Sequence, residues 1–123
     1  MSAVLRVAVI PGDGVGPELL PACLDVLGDL GVAAELELLR AGWGCFQETG
    51  EALPAETLER ARECDGIVFG AVSSPSGPAP GYRSPILALR RELDLYANLR
   101  PVVSSPVAGS RSGVDFLVVR ENT

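Results

Sequence analysis

Three arginines, Arg90, Arg100 and Arg120, are the residues of this sequence best suited to hold a charged ligand. Each follows apolar residues, which are Leu87 and Leu89 for the first, Leu99 for the second and residues 116–119 for the third. Arginine is rarely buried unless a carboxylate or phosphate meets its rigid, planar fork of donors. If the three side chains converge in these apolar surroundings, they form a receptor for a small polycarboxylate.

Each arginine also has a plain structural interpretation. Arg90 could form a helix-surface ion pair with Asp94, and Arg120 could pair with the neighbouring Glu121. Arg100 could be an ordinary charge before a proline. Spacing alone leaves both interpretations open.

The chain is better equipped to bind a substrate than to transform one. It contains no histidine, and all ten of its basic residues are arginine. Arginine stays protonated at any working pH, so it can bind and polarise a ligand but is a poor proton shuttle. The net charge of −6, without a basic patch, argues against a nucleic acid as the main partner.

The remaining composition is that of an ordinary globular domain. With 123 residues, 47% of them hydrophobic, the chain is long enough for one core. No apolar run approaches the roughly 20 residues that span a membrane, and no export signal is visible, so we expect a cytoplasmic protein without a membrane partner. Cys23, Cys45 and Cys64 fit neither a metal motif nor a disulfide framework, and we expect reduced thiols.

The elements that must position the arginines follow from hydrophobic periodicity. Apolar runs predict strands over 5–10, 34–39 and 67–72, and helical spacing predicts helices over 17–30 and 54–63. Strands that alternate with helices are typical of a parallel crossover sheet. The sequence therefore predicts an α/β fold, an open twisted sheet with helices on both faces.

The second half of the chain carries the arginines. Residues 73–84 are rich in Pro and Gly and predict a loop, residues 86–94 predict a short helix, and residues 96–103 and 115–120 predict two further strands. Residues 43–50 show little pattern and predict an irregular connection. These assignments place Arg90 in a helix and the other two arginines in strands.

The glycine-rich residues 12–16 lie between the first strand and the first helix, where backbone N–H groups can bind phosphate. They do not match a dinucleotide fingerprint, because Pro17 replaces the third glycine and the second strand ends in Arg40 rather than an acidic residue. A structural turn is the favoured interpretation, with a phosphate site as the alternative.

Val72, Ser73 and Ser74 follow the third strand, at the edge of the sheet where ligands of open α/β folds bind. They are therefore candidates for a binding site. The alternative is that the two serines and Pro75 merely end the strand.

Three segments carry a family resemblance: IPGDGVGPE near the N-terminus, LRRELDLYANLRP around the first two arginines, and VRENT at the end. In this order they resemble the β-decarboxylating dehydrogenases, which oxidise and decarboxylate isocitrate, homoisocitrate or 3-isopropylmalate. The resemblance covers essentially the whole chain. It implies an isopropylmalate dehydrogenase-like fold that is incomplete in this chain, with residues 1–98 in the first domain and residues 99–123 as the first strands of a second, dimer-forming domain.

The resemblance also implies roles for individual residues. The carboxylates of a 2-hydroxy acid would be bound by Arg90, Arg100, Arg120 and Ser74. The cofactor NAD would be contacted by Val72, Ser73 and Ser74. In the family, the catalytic tyrosine and lysine and the aspartates that hold Mg²⁺ or Mn²⁺ all follow the last motif. No catalytic or metal-binding residue is therefore predicted in this chain, which alone is predicted to be inactive.

Substrate choice in the family lies in the loop and helix before Arg90. Here Leu87 resembles the apolar residues that isopropylmalate enzymes use, whereas Ser84 resembles a serine of isocitrate enzymes. Arg83 could reach a third carboxylate from the loop.

Asn122 resembles the isocitrate and homoisocitrate enzymes, and the short connection after Arg100 resembles the homoisocitrate enzymes. We therefore expect NAD-dependent oxidative decarboxylation of homoisocitrate to 2-oxoadipate in lysine biosynthesis, by a longer enzyme. The alternatives are 3-isopropylmalate or isocitrate as substrate, or a non-enzymatic α/β module that binds an anion. Strands missing from the sheet would leave an open edge, and a homo-oligomer is expected.

Overall fold

A computed structural model describes residues 4–122, in which strands and helices alternate through the first half of the chain. In chain order the elements are β1 (Leu5–Gly12), α1 (Gly16–Asp29), β2 (Ala34–Leu38), α2 (Trp43–Thr49), α3 (Ala55–Arg62), β3 (Gly66–Ala71), α4 (Pro85–Glu92), β4 (Ala97–Val103) and β5 (Asp115–Glu121). The packing divides the chain into two units, the first ending at Ala88 and the second beginning at Leu89. The predicted α/β fold is confirmed.

Strand β1 is the centre of a three-stranded parallel sheet in the order β2-β1-β3. Four consecutive residues of β1, 7–10, are buried, so both faces of this strand are covered. On one face Val7 and Val9 pack against Leu20 of α1. On the other, Ala8 and Ile10 have no exposed surface.

Most of the predicted elements are present, but the prediction of an irregular connection over 43–50 is wrong. Helix α2 occupies most of this segment and is flanked by Gly42 and Gly50, whose φ angles of 115° and 82° few other residues adopt. Its short length gives too few residues for an apolar period to show in the sequence.

The turn between β1 and α1 packs closely against the end of β3. A Cβ atom added to Gly12 would lie 1.9 Å from the carbonyl oxygen of Ala71, and one added to Gly16 would lie 2.0 Å from that of Pro11. These glycines are thus required for two stretches of backbone to approach each other. This contact favours the structural interpretation of residues 12–16.

In the second unit, β4 and β5 form an antiparallel pair. The connection between them is organised by Ser104, whose hydroxyl donates to the carbonyl of Arg111 at 2.7 Å and accepts the N–H of Val114 at 2.7 Å. The predicted strands over 96–103 and 115–120 agree with β4 and β5 to within one residue at each end.

The predicted domain boundary after residue 98 stays a prediction, and the packing division falls earlier, within α4. All three cysteines are free thiols, as expected, with Cys23 exposed and Cys45 buried. No helix among residues 4–122 is long and apolar enough to cross a membrane.

Candidate functional site

Arg100 and Arg120 share one face of the β4–β5 pair. In the antiparallel register, Arg100 lies opposite Val118 and Arg120 lies opposite Asn98. Residues two apart on a strand point to the same side, so these four residues form one surface, which we call the arginine face. The two arginines are diagonal neighbours on it, a relationship that places the Cα atoms about 7–8 Å apart, within reach of long side chains.

The apolar neighbours of these two arginines do not bury them. Arg100 and Arg120 are both exposed, because Leu99 and Val119 point to the opposite face of the sheet. The expectation that apolar neighbours bury these two arginines is therefore wrong. The strand period of two explains the error: residues next to each other in sequence lie on different faces. Arg90, in α4, is half-buried.

The position of Arg90 is set by the way α4 ends. The carbonyl of Arg90 accepts the N–H of Leu95 at 2.8 Å, and the carbonyl of Arg91 accepts the N–H of Asp94 at 3.3 Å. With Asp94 at a φ of 51°, these two bonds form a Schellman motif. Helix α4 therefore ends two residues before the predicted end at residue 94.

The three arginines have no carboxylate partner among residues 4–122. The ion pairs recorded there use Arg6, Arg40 and Arg60. The pairs predicted as structural alternatives, of Arg90 with Asp94 and of Arg120 with the glutamate beside it, are not among them. Cations left without a protein anion are what a receptor for an anionic ligand requires. The convergence of Arg90 with the arginine face stays a prediction.

One side chain on the arginine face was not anticipated from the sequence. The Nε–H of Arg100 donates to the Oδ1 atom of Asn98 at 3.1 Å. The available signal was the spacing of two residues in a predicted strand, which puts Asn98 and Arg100 on the same side.

In the first unit, the carboxylate of Asp13 joins three segments. Its oxygens accept the backbone N–H groups of Ser73, of Trp43 and, at 3.4 Å, of Gly44. Its own N–H donates to the carbonyl of Ala71 at 2.9 Å. Asp13 thereby fixes the turn after β1 to the end of β3 and to the start of α2. Sequence analysis placed Asp13 in a turn and missed this role, because its partners are far along the chain.

These hydrogen bonds determine the charge of Asp13. Partial burial acts against ionisation, but the N–H and hydroxyl of Ser73 and the N–H groups of Trp43 and Gly44 together lower the pKa of this carboxyl below its ordinary value of 3.8. Asp13 is therefore a carboxylate at neutral pH.

The start of α1 is poorly suited to hold phosphate. The N–H of Gly16 donates to the carbonyl of Asp13 at 3.1 Å, Pro17 has no N–H, and the N–H of Glu18 donates to the carbonyl of Val15 at 3.2 Å. The donors that bind anions at other helix starts are thus already engaged. The ionised Asp13 adds a repulsive charge. Both facts support a structural turn over residues 12–16.

An aromatic cluster of Trp43, Phe46 and Tyr82 connects α2 to the loop after β3. The ring centroid of Tyr82 lies 5.3 Å from each of the other two rings, at nearly perpendicular angles. Its hydroxyl donates to the carbonyl of Ser73 at 3.4 Å. Burial, and then the charge of Asp13, raise the pKa of the Tyr82 phenol. The cluster fixes the loop on which Ser74, Arg83 and Ser84 lie.

The segment predicted to select the substrate begins in this loop. Arg83 is exposed, and Ser84 is half-buried, with its carbonyl accepting the N–H of Ala88 at 3.0 Å in the first turn of α4. Leu87, three residues before Arg90 on the same helix, keeps 50% of its surface exposed. An apolar side chain this exposed is available to contact a ligand.

The strand end predicted to bind NAD is only partly available. Ser73 uses its N–H and hydroxyl on Asp13 and its carbonyl on Tyr82. The remaining polar groups there belong to Val72 and Ser74, and their contact with NAD stays a prediction. For a metal the described part of the chain offers no fit, since it brings together no group of three His, Cys, Asp or Glu side chains.

Comparison with known proteins agrees with this architecture. The sequence profile described as isocitrate/isopropylmalate dehydrogenase matches residues 6–123. The chain is 48% identical to the isocitrate/homoisocitrate dehydrogenase of Thermus thermophilus, covering 96% of the chain and 35% of that protein. It is 44% identical to the 3-isopropylmalate dehydrogenase of Methanothermobacter thermautotrophicus, and this match covers 97% of the chain and 35% of that protein.

A similar solved structure is the apo form of a β-decarboxylating dehydrogenase from Thermococcus kodakarensis. It has 43% identity and a TM-score of 0.83, over 98% of this chain and 34% of that one. The chain thus spans about a third of the length of the relatives it matches.

Proposed function

Because the chain belongs to the isocitrate/isopropylmalate dehydrogenase family, we propose that the complete protein oxidises and decarboxylates a 2-hydroxy acid with NAD in the cytoplasm. The observation that carries the proposal is the arginine face, where Arg100 and Arg120 stand side by side without a carboxylate partner in the described part of the chain. In this proposal, Arg90, Arg100 and Arg120 of this chain supply most of the carboxylate receptor.

The residues of the chain bind and orient the substrate. Each guanidinium can take a carboxylate through two parallel hydrogen bonds, and its charge does not change with pH. Several such contacts fix the direction of the substrate, which lets its C2–H bond face the nicotinamide. NAD supplies the hydride acceptor when it is bound. Proton transfer is proposed for residues outside this chain, since it has no histidine and no lysine. Metal binding is also proposed for residues outside it, since residues 4–122 bring together no group of three His, Cys, Asp or Glu side chains.

Among the substrates of the family, we favour homoisocitrate. It and isocitrate carry three carboxylates, whereas 3-isopropylmalate carries two, and a third carboxylate suits a site with three arginines and the exposed Arg83 nearby in sequence. The relative with 48% identity is named for isocitrate and homoisocitrate. The half-exposed Leu87 favours an apolar substituent and keeps 3-isopropylmalate as the alternative.

The proposal is tested by kinetics on the complete protein encoded by the reading frame that contains this chain. The ratio kcat/KM is measured for homoisocitrate, isocitrate and 3-isopropylmalate side by side. Arg100→Lys and Arg120→Lys are expected to lower it about 100-fold, because a lysine cannot form the bidentate contact.

Arg111→Lys is the matched control, since Arg111 is an exposed arginine in the connection between β4 and β5. If the three variants behave alike, or the wild-type protein oxidises none of the acids, the proposal is wrong.

A second candidate is a binding module without catalysis, in which the arginines hold an anionic ligand. It predicts calorimetric binding of a tricarboxylate without any reduction of NAD. The dehydrogenase proposal predicts both.

We also propose that the complete protein is a homo-oligomer. On the face of β4–β5 opposite the arginines, Leu99, Val103 and Val119 keep 59%, 65% and 63% of their surface exposed. An apolar surface of this kind is normally covered. Sedimentation of the complete protein as a monomer would contradict the proposal.

A further inference from the structure

Asn98 orients Arg100. The amide oxygen of Asn98 accepts the Nε–H of Arg100 at 3.1 Å, and both side chains project from the arginine face of β4. Arg100 is exposed, and an exposed arginine side chain samples many rotamers unless something holds it. The bond to Asn98 restricts that freedom before any ligand arrives.

The bond also determines which edge of the guanidinium a ligand can meet. A carboxylate can bind arginine either through both Nη groups or through Nε and one Nη. Asn98 occupies the Nε–H and leaves the edge formed by the two Nη groups. Because Nε can only donate, the atom of Asn98 that faces it is the amide oxygen, and its Nδ2 group remains as an uncharged donor.

Asn98 is paired with the second arginine as well. It lies directly opposite Arg120 in the register. The N–H of Asn122 donates to the carbonyl of Tyr96 at 2.9 Å, so these two residues form a hydrogen-bonded pair. Hydrogen-bonded and non-hydrogen-bonded pairs alternate along antiparallel strands, and the pair of Asn98 and Arg120 is therefore hydrogen-bonded as well. Cα atoms in such pairs are about 5.5 Å apart. Asn98 therefore stands beside both cations of the arginine face.

We infer that Asn98 is a positioning residue of the carboxylate receptor, which holds the guanidinium of Arg100 so that its two Nη groups face the ligand. The inference rests on the proposed function and adds a residue to its site. Its effect on the substrate passes through Arg100. Removing Asn98 should therefore matter only while an arginine is present at position 100.

A double-mutant cycle in the complete protein tests this dependence. Asn98→Leu keeps a similar side-chain volume and removes the acceptor, whereas Arg100→Lys removes the Nε–H. The affinity for tricarballylate, a tricarboxylate without a hydroxyl group, is measured by calorimetry, and kcat and KM are measured for the substrate acids. Asn98→Leu is expected to weaken tricarballylate binding and raise the substrate KM about tenfold, with kcat within about twofold of wild type.

In the Arg100→Lys background, Asn98→Leu is expected to have no further effect. An equal loss of affinity in both backgrounds would show that Asn98 supports the sheet rather than Arg100, and an unchanged affinity in the single variant would overturn the inference directly. If the wild-type protein binds tricarballylate but oxidises no acid, the proposed function fails while the calorimetric cycle still decides the role of Asn98. A wild-type protein that does neither overturns both.

Discussion

Asp13 caps a helix that begins thirty residues further along the chain, since its Oδ2 atom accepts the backbone N–H of Trp43 at the start of α2. Helix α2 has no capping side chain of its own, because its N-cap residue is Gly42. A cap normally comes from the residue just before the helix. Here the cap comes from the turn after β1, so the central strand and α2 stabilise each other.

Replacing Asp13 by alanine should therefore weaken the first unit. Three backbone N–H groups, those of Ser73, Trp43 and Gly44, would lose their acceptor, and we expect the free energy of unfolding to fall by about 2–3 kcal/mol. Chemical denaturation of the complete protein measures the loss, and hydrogen exchange should locate it at the three amides. Asp115→Ala, at an exposed position of β5, is the control. Equal denaturation midpoints for the two variants would contradict the prediction.

The same carboxylate predicts a dependence of stability on pH. The pKa of Asp13 is lower in the folded protein than in the unfolded chain, so its contribution is fully present above the unfolded pKa of about 3.9 and is lost as the pH falls through the folded value. Asn at position 13 does not titrate. The difference in unfolding free energy between wild type and Asp13→Asn should shrink as the pH falls below about 5 and through the lowered pKa of the folded protein. A difference that is independent of pH would show that the charge of Asp13 contributes nothing.

The aromatic cluster predicts losses of stability of different size for two variants of Tyr82. Tyr82→Ala removes both edge-to-face contacts and should cost about 2–3 kcal/mol, whereas Tyr82→Phe loses only a long hydrogen bond and should cost less than about 1 kcal/mol. Trp43 is the only tryptophan of these 123 residues, and its fluorescence, measured as the difference from a Trp43→Phe variant, reports on the cluster. We expect a red shift of emission and faster proteolysis within residues 73–84 for the alanine variant alone. If both variants match wild type, the cluster does not hold the loop.

The fold could be predicted because its sheet is built from continuous apolar runs. Residues 7–10 are buried on both faces of β1, and a strand of this kind is visible in the sequence without any knowledge of its neighbours. Helix α2 could not be predicted, because its cap is Asp13 and its aromatic partner is Tyr82, both distant in the sequence. Local patterns carry no information about such partners.

The site was predictable in its residue types and not in its surroundings. The three arginines could be selected from their motifs, but burial was inferred from apolar neighbours in sequence. The adjacent Leu99 and Val119 lie on the other face of the sheet, and Phe116 and Val118, on the same face as the arginines, stay exposed themselves. The register that makes Asn98 the partner of Arg120 depends on the conformation of the connection between β4 and β5. Spacing along one strand does not contain that register.

The end of α4 offers a stabilising substitution. Asp94 occupies the left-handed position of the Schellman motif, at a φ of 51°, where glycine is free of strain. Asp94→Gly should raise the thermal midpoint, by an amount that corresponds to a gain of about 0.5–1 kcal/mol in the free energy of unfolding. Asp94→Ala should lower the thermal midpoint. Asp115→Gly, in a strand, should be destabilising instead. If both glycine substitutions lowered the thermal midpoint, the conformation of Asp94 would carry no strain.

Leu87 provides the sharpest test of substrate choice. It lies three residues before Arg90 in α4, hence on the same side of the helix, and is 50% exposed, so a longer side chain fits without displacing the core. At C3, homoisocitrate carries a chain that ends in a carboxylate, and 3-isopropylmalate carries an isopropyl group. Leu87→Arg should therefore raise the ratio of kcat/KM for homoisocitrate to that for 3-isopropylmalate about tenfold, a change of about 1.4 kcal/mol. Leu87→Gln, polar and uncharged, separates the effect of charge from that of lost apolar contact. A polar side chain at position 87 penalises the isopropyl group in both variants. Only an increase of kcat/KM for homoisocitrate itself, seen with the arginine variant alone, would therefore assign the selection of the third carboxylate to this helix.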